Sequence, residues 1–295
     1  MSELPKISIV TPSYNQAQYL EDTIQSVLGQ NYPNLEYIIM DGGSTDGSAD
    51  IIKKHEKHLA YWVSAKDNGQ AAAINSGFQQ STGDVLLWLN SDDMLMPNSL
   101  NFIAEKVLTE GDNLFFGECI HFRKQRGGTL DAWGSDVGDE SKTIDLSVFD
   151  YIIQPSSFWT RKIWEQTGSL NESLHFGFDW EWFLRAQRSG AKLLYVDKIL
   201  SLYRYHDDHK SKAGGTARQQ ELLRLYREFS PEKAPLYMLL MEDQERPRSL
   251  KYRIIRKGWS LLKKQYAHAD LLAAAYPERY RKFSTGDIRL LVRML

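Results

Sequence analysis

Short apolar runs alternate with segments of helical periodicity over about the first ninety residues, and this alternation constrains the fold more than any other feature of the sequence. The runs are typical of buried strands, because they are short, apolar and bounded by turn-forming residues. Strands that alternate with helices form a parallel sheet with helices on both faces. We therefore expect an α/β fold with a mostly parallel sheet. The predicted strands are residues 7–10, 37–40, 61–63 and 85–89, and the predicted helices are 20–28, 48–58 and 70–80.

A polar loop follows each of the predicted strands. In a parallel sheet the ligand lies beyond the carboxyl ends of the strands, because the loops converge there and helix N-termini point towards it. The strand order therefore predicts a ligand site at this edge of the sheet. Four loop residues are placed at the edge on this basis: Ser13, Asp41, Asp67 and Asp92.

The regular alternation stops after Glu118. Beyond it, the sequence Arg-Gly-Gly-Thr at 126–129 predicts a hairpin, and two predicted helices each end at a glycine. We expect a mixed sheet in this half, a first domain over residues 1–212 with halves 1–118 and 119–212, and a helical segment over 213–295. The remaining predicted elements are helices at 163–166 and 179–188, ended by Gly168 and Gly190, and strands within 193–205.

The C-terminal segment is basic, although the whole chain has a net charge of only −2. Residues 246–295 contain 13 Lys and Arg against three Asp and Glu. Apolar and basic residues recur at helical spacing over 250–264, which predicts a basic amphipathic helix. Its apolar side could pack on the first domain, or the helix could lie on an anionic membrane surface. We do not expect a nucleic-acid partner, because the helix lacks a recognised motif and the rest of the chain is acidic.

The sequence shows no pattern of a targeting signal or a membrane span. Residues 1–15 lack a basic start followed by an apolar stretch, and no apolar run approaches about 18 residues. The single cysteine, Cys119, cannot form an internal disulfide. We therefore expect a cytoplasmic protein, with contact to the inner face of the membrane as the alternative for the basic segment.

The sequence Asn-Ser-Asp-Asp at 90–93 directly follows the most apolar predicted strand. A carboxylate in this place reaches the ligand edge of the sheet. Mg²⁺ and Mn²⁺ suit it, because such ions are typically held by one or two carboxylates and the phosphates of a substrate. The same residue types also form turns and helix N-caps, so the motif by itself leaves both interpretations open.

A second polar loop, Asp-Gly-Gly-Ser-Thr-Asp-Gly at 41–47, ends the second predicted strand. Its short residues would let the backbone and one carboxylate approach a flat ring or a ribose, or they form a glycine-rich turn with Asp41 as a local acceptor. The sequence contains neither the Gly-x-Gly-x-x-Gly fingerprint nor a P-loop. This argues against dinucleotide-dependent hydride transfer and P-loop ATPase chemistry.

Taken together, these motifs resemble the family 2 glycosyltransferases, whose fold is the Rossmann-like GT-A fold. The resemblance rests on residues 7–15, 41–47, 67–77 and 89–93, and it extends more loosely to about His206. It implies transfer of a hexosyl unit from a nucleoside-diphosphate sugar, such as a UDP-sugar, to a hydroxyl of a glycan or lipid-linked acceptor. The setting implied is bacterial-type polysaccharide or glycoconjugate synthesis, and the family precedent is inversion by single displacement.

The resemblance also implies roles for single residues. Asp92 is implied as the ligand of a divalent metal, Mn²⁺ or Mg²⁺, with His206 approaching it, although Asn90 stands at the first position of the family's Asp-x-Asp motif. Asp179 is implied as the catalytic base, with Phe178 where glutamate is common, and the predicted helix start would favour its ionised form. Gln154 and Glu181 are implied on the acceptor side. The implied nucleotide-sugar contacts are Pro12, Ser13, Tyr14, Asn15, Asp41, Ser44, Asp67, Gly69, Gln70, Asn75, Ser91 and Asp92.

Alternatives to these roles stay open at the level of the sequence. Asn90 and Phe178, where the family prefers acids, would also suit a catalytically silent nucleotide-sugar- or glycan-binding protein. A nucleotidyltransferase on a similar sheet would release pyrophosphate instead of a nucleoside diphosphate. Glu181 has an ordinary helical ion-pair partner in Arg185, and His206 would also suit a structural role.

Overall fold

The computed structural model describes residues 4–125, 127–206, 215–245, 249–261 and 267–295. The chain forms two compact units, of which the first comprises Met1–Thr143 and Tyr151–Ala213 and the second Ile144–Asp150 and Gly214–Leu295. Three predicted features lie outside the described residues: Arg126 of the hairpin, the 262–264 end of the amphipathic segment, and the domain boundary at 212/213.

The N-terminal half of the first unit contains the predicted parallel sheet. Its strands are β1 (Ile7–Ser13), β2 (Leu35–Asp41), β3 (Tyr61–Ser64) and β4 (Val85–Trp88), and the helices between them are α1 (Ala17–Leu28), α2 (Ser48–Lys54) and α3 (Gln70–Gln80). The four strands pair in the spatial order β3-β2-β1-β4, all parallel. The predicted α/β fold is confirmed.

The two faces of β1 pack against different helices. Ile7 and Ile9 share one apolar core with Leu20 and Ile24 of α1. On α3, a Cβ atom added to Gly77 would lie 2.5 Å from Val10 Cγ1, so this glycine lets the helix approach the opposite face of the strand. Helices therefore cover both faces of the sheet, as the alternation of elements predicted.

The C-terminal half of the first unit makes the sheet mixed. Its elements are β5 (Met94–Leu95), β6 (Leu114–Lys124), β7 (Leu130–Gly134), β8 (Ser157–Thr160), β9 (Leu193–Tyr205), α4 (Ser99–Glu110), α5 (Val137–Thr143), α6 (Arg161–Thr167) and α7 (Phe178–Arg188). Strand β8 lies antiparallel between β4 and β6, β6 pairs in parallel with β9, and β7 forms a hairpin with β6. A single long strand, β9, occupies the region where several strands were predicted.

The second unit is helical. Tyr226 and Tyr237 are fully buried in it with ring centroids 4.7 Å apart, and the Tyr226 hydroxyl donates to Val148 O at 2.9 Å. None of the helices in the described ranges is long and apolar enough to span a membrane. The helices are α8 (Gly215–Phe229), α9 (Ala234–Glu245), α10 (Leu250–Leu261), α11 (His268–Ala275), α12 (Pro277–Tyr280) and α13 (Thr285–Val292).

Candidate active site

A cavity of about 660 Å³ lies in the first unit, at the carboxyl ends of β1, β2 and β4. This is the edge at which the strand order predicts the ligand site. The cavity brings together residues from loops that are far apart in the sequence. The predicted site residues that line it are Pro12, Ser13, Tyr14, Asp67, Gly69, Gln70, Ser91, Asp92, Gln154 and Asp179.

The two adjacent aspartates after β4 have different surroundings. Asp92 lines the cavity, and its Oδ2 lies 2.9 Å from His206 Nε2. Asp93 also borders the cavity but is buried, and its Oδ1 accepts from the Arg204 backbone N–H at 3.1 Å. Burial and the neighbouring Asp92 carboxylate raise the pKa of Asp93 well above its usual range. Asp92 is thus the carboxylate available to a ligand, while Asp93 anchors the loop to β9.

Asn90 lies in a chain of side-chain hydrogen bonds beside these aspartates. Gln154 Nε2 donates to Trp88 O at 2.7 Å, which directs Gln154 Oε1 towards Asn90 Nδ2 at 3.2 Å. Asn90 Oδ1 in turn accepts from Gln70 Nε2 at 2.8 Å. The position therefore needs both a donor and an acceptor, and an amide supplies both where a carboxylate supplies only acceptors.

Asp41 supports the cavity wall from behind. Its carboxylate is buried and accepts from Ser44 N, Ser44 Oγ and Ser64 Oγ at 2.5–2.9 Å. Asn15 N donates to Ser44 Oγ at 2.7 Å, and Asn15 Oδ1 accepts from Thr45 N at 3.0 Å. Hydrogen bonds therefore connect the loops that contain Asp41, Ser44 and Asn15. These three residues were predicted as direct nucleotide contacts, but they do not line the cavity.

Residues next to these hydrogen-bonded loops do line the cavity. Gly42 lies so close to Asp67 that an added Cβ atom would be 3.0 Å from Asp67 Oδ2. Asp67 Oδ1 accepts from Gly69 N at 2.8 Å, which fixes the loop before α3. The ring of Tyr14 is 64% exposed at the cavity, and Ser13 Oγ is buried there with no hydrogen-bond partner among the described residues. An exposed ring beside an unpaired hydroxyl and a carboxylate suits a polar, flat ligand.

Asp179 lies in the first turn of α7 and lines the same cavity. Its Oδ1 lies 2.9 Å from the Trp180 N–H, an orientation that agrees with the favourable interaction of a carboxylate with a helix N-terminus. Trp180, Trp182 and Phe183 are buried behind it, so the helix that carries Asp179 is held by apolar packing.

Two further predicted contacts, Glu181 and Asn75, do not line the cavity. Both oxygens of Glu181 accept from Arg185, at 2.7 and 3.0 Å, which is the ion pair that the helical spacing also allowed. Asn75 donates to Leu170 O and Glu172 Oε1 at 3.0 and 2.8 Å, and accepts from Leu170 N at 2.9 Å. Both side chains are thus engaged in contacts within the chain, and neither lines the cavity.

The cavity also contains residues that the sequence did not single out: Lys66, Trp88, His175, Phe176 and Tyr203. His175 and Phe176 lie in an irregular segment before α7, where no periodicity marks a side chain as functional. Tyr203 lies on β9. Its hydroxyl stays protonated, because burial and the carboxylates of Asp93, Asp92 and Asp179 raise its pKa well above the usual range.

The Asp92 and His206 side chains fit a divalent metal only in part. Within the described ranges, no group of three or more His, Cys, Asp and Glu side chains could hold a metal ion by itself. A carboxylate oxygen and an imidazole nitrogen 2.9 Å apart nevertheless provide two donors. This set suits an ion whose other ligands are water and the phosphates of a substrate.

Several known proteins resemble this chain. Three relatives from Bacillus subtilis, a Nostoc species and Haemophilus influenzae are 37–42% identical over 107–121 residues, and these matches cover only 33–48% of the relatives' lengths. The GalNAc(5)-diNAcBac-PP-undecaprenol β-1,3-glucosyltransferase of Campylobacter jejuni is 26% identical over 208 residues, which are 68% of this chain and 65% of that protein.

Solved glycosyltransferase structures share the fold. TarS of Staphylococcus aureus, in complex with UDP-GlcNAc, aligns with a TM-score of 0.62 and 15% identity over 98% of this chain and 87% of the solved one. The mannosyltransferase PcManGT of Pyrobaculum calidifontis, in complex with GDP-Man and Mn²⁺, aligns with a TM-score of 0.64 and 14% identity over 99% and 87% of the two chains.

The family model described as Glycosyl transferase family 2 matches residues 8–164, which is more than half of the chain. The matched region contains the parallel sheet, the Asp92 loop and Gln154. With the GT-A fold shared by the solved structures, this match shows that the chain belongs to glycosyl transferase family 2.

Proposed function

We propose that the first unit transfers a hexosyl unit from a nucleoside-diphosphate sugar to an acceptor hydroxyl, with inversion at the anomeric carbon. The observation that carries this proposal is that Asp92 and Asp179 line the same cavity from opposite halves of the unit. In this proposal Asp92 serves the diphosphate of the donor and Asp179 serves the acceptor hydroxyl. Single displacement requires this division, because the acceptor attacks from the face opposite the leaving group.

The nucleotide would bind where Ser13, Tyr14 and Asp67 converge. The exposed ring of Tyr14 offers a face on which a base can stack, and the carboxylate of Asp67 can accept from base or ribose groups. The unpaired Ser13 hydroxyl offers a further hydrogen bond. We propose a UDP-sugar as the donor, and the UDP-GlcNAc and GDP-Man bound by the solved relatives support a nucleotide-sugar in general.

Asp92 and His206 would hold a divalent cation together with the donor diphosphate. A metal bound there would supply Lewis-acid stabilisation of the negative charge on the departing diphosphate. The proposal agrees with the Mn²⁺ in the PcManGT structure, although Asn90 removes one carboxylate from the motif. His206 would lose its hydrogen bond to Asp92 Oδ2 when both side chains become ligands.

Asp179 would act as the general base. A carboxylate at a helix N-terminus is stabilised in its ionised form, so it is ready to accept the proton of the acceptor hydroxyl. Buried Trp180 and Trp182 of α7 hold the helix, and with it Asp179, in position, and orientation of the reacting groups contributes to catalysis in its own right.

A lipid-linked glycan is the proposed acceptor, and α10 supports contact with a membrane surface. Leu250, Ile254 and Leu261 lie on one side of this helix and are 70%, 61% and 76% exposed, while Tyr252 on another side is buried. Lys251, Arg253 and Lys257 are exposed around this apolar ridge. Exposed apolar side chains with basic neighbours suit an anionic lipid surface.

The test is Asp179→Asn in the full chain, compared with Asp92→Ala. Thermal unfolding with a panel of nucleotide sugars and Mn²⁺ identifies the donor, because a ligand of the native state raises the melting temperature. Asp179→Asn should keep this protection and lose at least about a hundredfold in transfer rate, whereas Asp92→Ala should lose the metal-dependent protection. Transfer by Asp179→Asn at the wild-type rate would refute Asp179 as the base. Release of pyrophosphate would indicate a nucleotidyltransferase instead.

A further inference from the structure

Four aromatic rings form a continuous row on one face of three adjacent strands. His121 of β6 is the register partner of Trp133 on β7 and of Tyr203 on β9, and Tyr205 lies two residues further along β9. The ring centroids of His121 and Trp133 are 5.7 Å apart and nearly parallel, and Tyr205 lies 5.3 Å from Trp133 and 5.2 Å from Tyr203. We call these four residues the aromatic platform.

The outer part of the platform is open to solvent. Trp133 is 42% exposed and Tyr205 is 38% exposed, whereas the other large aromatic residues of the unit are mostly buried in its core. His121 Nδ1 is buried without a hydrogen-bond partner among the described residues, and burial lowers the His121 pKa, so a neutral ring supports Trp133. Exposed large rings on a rigid sheet are typical of a binding surface.

The inner end of the platform lies inside the cavity. Tyr203 is part of the cavity wall together with Asp92 and Asp179. Its ring contacts both His121 and Tyr205, with centroids 5.4 and 5.2 Å apart. The platform therefore runs without interruption from the carboxylates to the exposed Trp133.

The chemistry of the platform suits carbohydrate. The faces of aromatic rings carry negative charge density, which attracts the polarised C–H groups on the apolar face of a sugar ring. Arg123 and Asp131 form an exposed ion pair on the same hairpin, with 3.2 Å between Nη2 and Oδ2, and they offer donors and acceptors to sugar hydroxyls. A lipid chain would not use such a polar rim.

We propose that the aromatic platform binds the glycan of the acceptor and so positions its terminal hydroxyl at Asp179. This inference rests on the proposed function, because it takes the cavity as the place of sugar transfer. It adds a subsite for sugar units beyond the one that receives the transferred residue, with Trp133 as its outermost contact.

The test measures glycan binding separately from transfer. Wild-type protein and variants are titrated with maltopentaose, cellopentaose, laminaripentaose and chitopentaose by isothermal calorimetry. Trp133→Ala should raise the Kd of the tightest of these about two- to twelvefold, since a lost aromatic contact is worth about 0.5–1.5 kcal/mol. Trp133→Phe should recover most of the affinity, and Trp133→Leu should not, because it keeps apolar area without a π face.

Tyr61→Ala is the matched control, because Tyr61 is a 39% exposed ring on β3 outside the platform, and it should leave Kd unchanged. Protection by nucleotide sugar should be the same in all variants, and its absence from the wild type would instead refute the proposed function. Absence of binding to all four glycans, or equal affinity of wild type and Trp133→Ala, would overturn the platform. Recovery by Trp133→Leu would also overturn it, since that result would indicate an apolar ligand such as a lipid.

Discussion

Replacing Asn90 by aspartate gives the chain the Asp-x-Asp sequence of its family, and we expect this change to destabilise the protein. Asn90 Nδ2 donates to Gln154 Oε1 at 3.2 Å and to Asp93 Oδ2 at 3.4 Å. A carboxylate would remove both donations and would face these two acceptors, because Gln154 is held in place by its bond to Trp88 O. It would also place a third carboxyl beside Asp92 and the buried Asp93.

The magnitude follows from the lost hydrogen bond. Leaving a buried acceptor such as Gln154 Oε1 unsatisfied costs about 1–3 kcal/mol. Repulsion between carboxylates adds to this cost at neutral pH, but the raised pKa of Asp93 limits it, because a proton on one carboxyl can bridge to its neighbour. We therefore expect Asn90→Asp to lower the free energy of unfolding by about 1–3 kcal/mol at pH 8 without added metal.

The pH dependence has a definite sign. We expect the new carboxyl to have a higher pKa in the folded than in the unfolded state, because the carboxyls of Asp92 and Asp93 lie beside it, so the folded mutant should bind protons more strongly. The destabilisation should be fully present above the raised folded-state pKa and should shrink as the pH falls through that pKa towards the unfolded-state value. Mn²⁺ with nucleoside diphosphate should also reduce it, by supplying positive charge to the same site.

Chemical denaturation of wild type and Asn90→Asp at pH 8 and pH 5 measures both effects. Asn101→Asp is the control, because Asn101 is an exposed amide near the start of α4 and its replacement should change stability by less than about 0.5 kcal/mol. Equal stability of Asn90→Asp and wild type at pH 8 would refute the donation from Asn90 Nδ2 to Gln154 Oε1. A loss at pH 8 that did not diminish at pH 5 would refute the electrostatic part alone.

Two further substitutions test the packing of α3 and the exposed ridge of α10. Gly77→Ala should lower the free energy of unfolding by about 1–3 kcal/mol, because its Cβ would lie 2.5 Å from Val10 Cγ1. Gly258→Ala is the control and should not lower it, because nothing lies within 4 Å of a Cβ atom there. Denaturant titration of both variants measures the difference. Ile254→Asp should reduce co-sedimentation with phosphatidylglycerol vesicles, because it places a carboxylate on the apolar ridge, whereas Leu108→Asp on α4 should not. Unchanged stability of Gly77→Ala, or unchanged binding of Ile254→Asp, would contradict the respective inference.

The sequence predicted the position of the site more accurately than the role of each residue in it. Polar loops after apolar strands had to meet at one edge, and Ser13, Asp67 and Asp92 do line one cavity there. Asp41 directly precedes Gly42 of the cavity wall, and Asn75 lies on the same helix as Gln70 of that wall. The side chains of Asp41 and Asn75 nevertheless form hydrogen bonds within the chain. Hydrogen-bond partners about a hundred residues away, such as Leu170 for Asn75, leave no trace in local sequence.

What the sequence by itself determined is the order of strands, helices and polar loops, because the periodicity of apolar residues and the turn-forming residues are local properties. Only the tertiary structure decided that β8 enters the sheet antiparallel beside β4, that Asp93 is buried while Asp92 faces the cavity, and that Tyr203 connects this cavity to Trp133. These outcomes depend on pairing and packing between segments distant in the chain. Such contacts are set by the free energy of the whole folded unit, which no local pattern encodes.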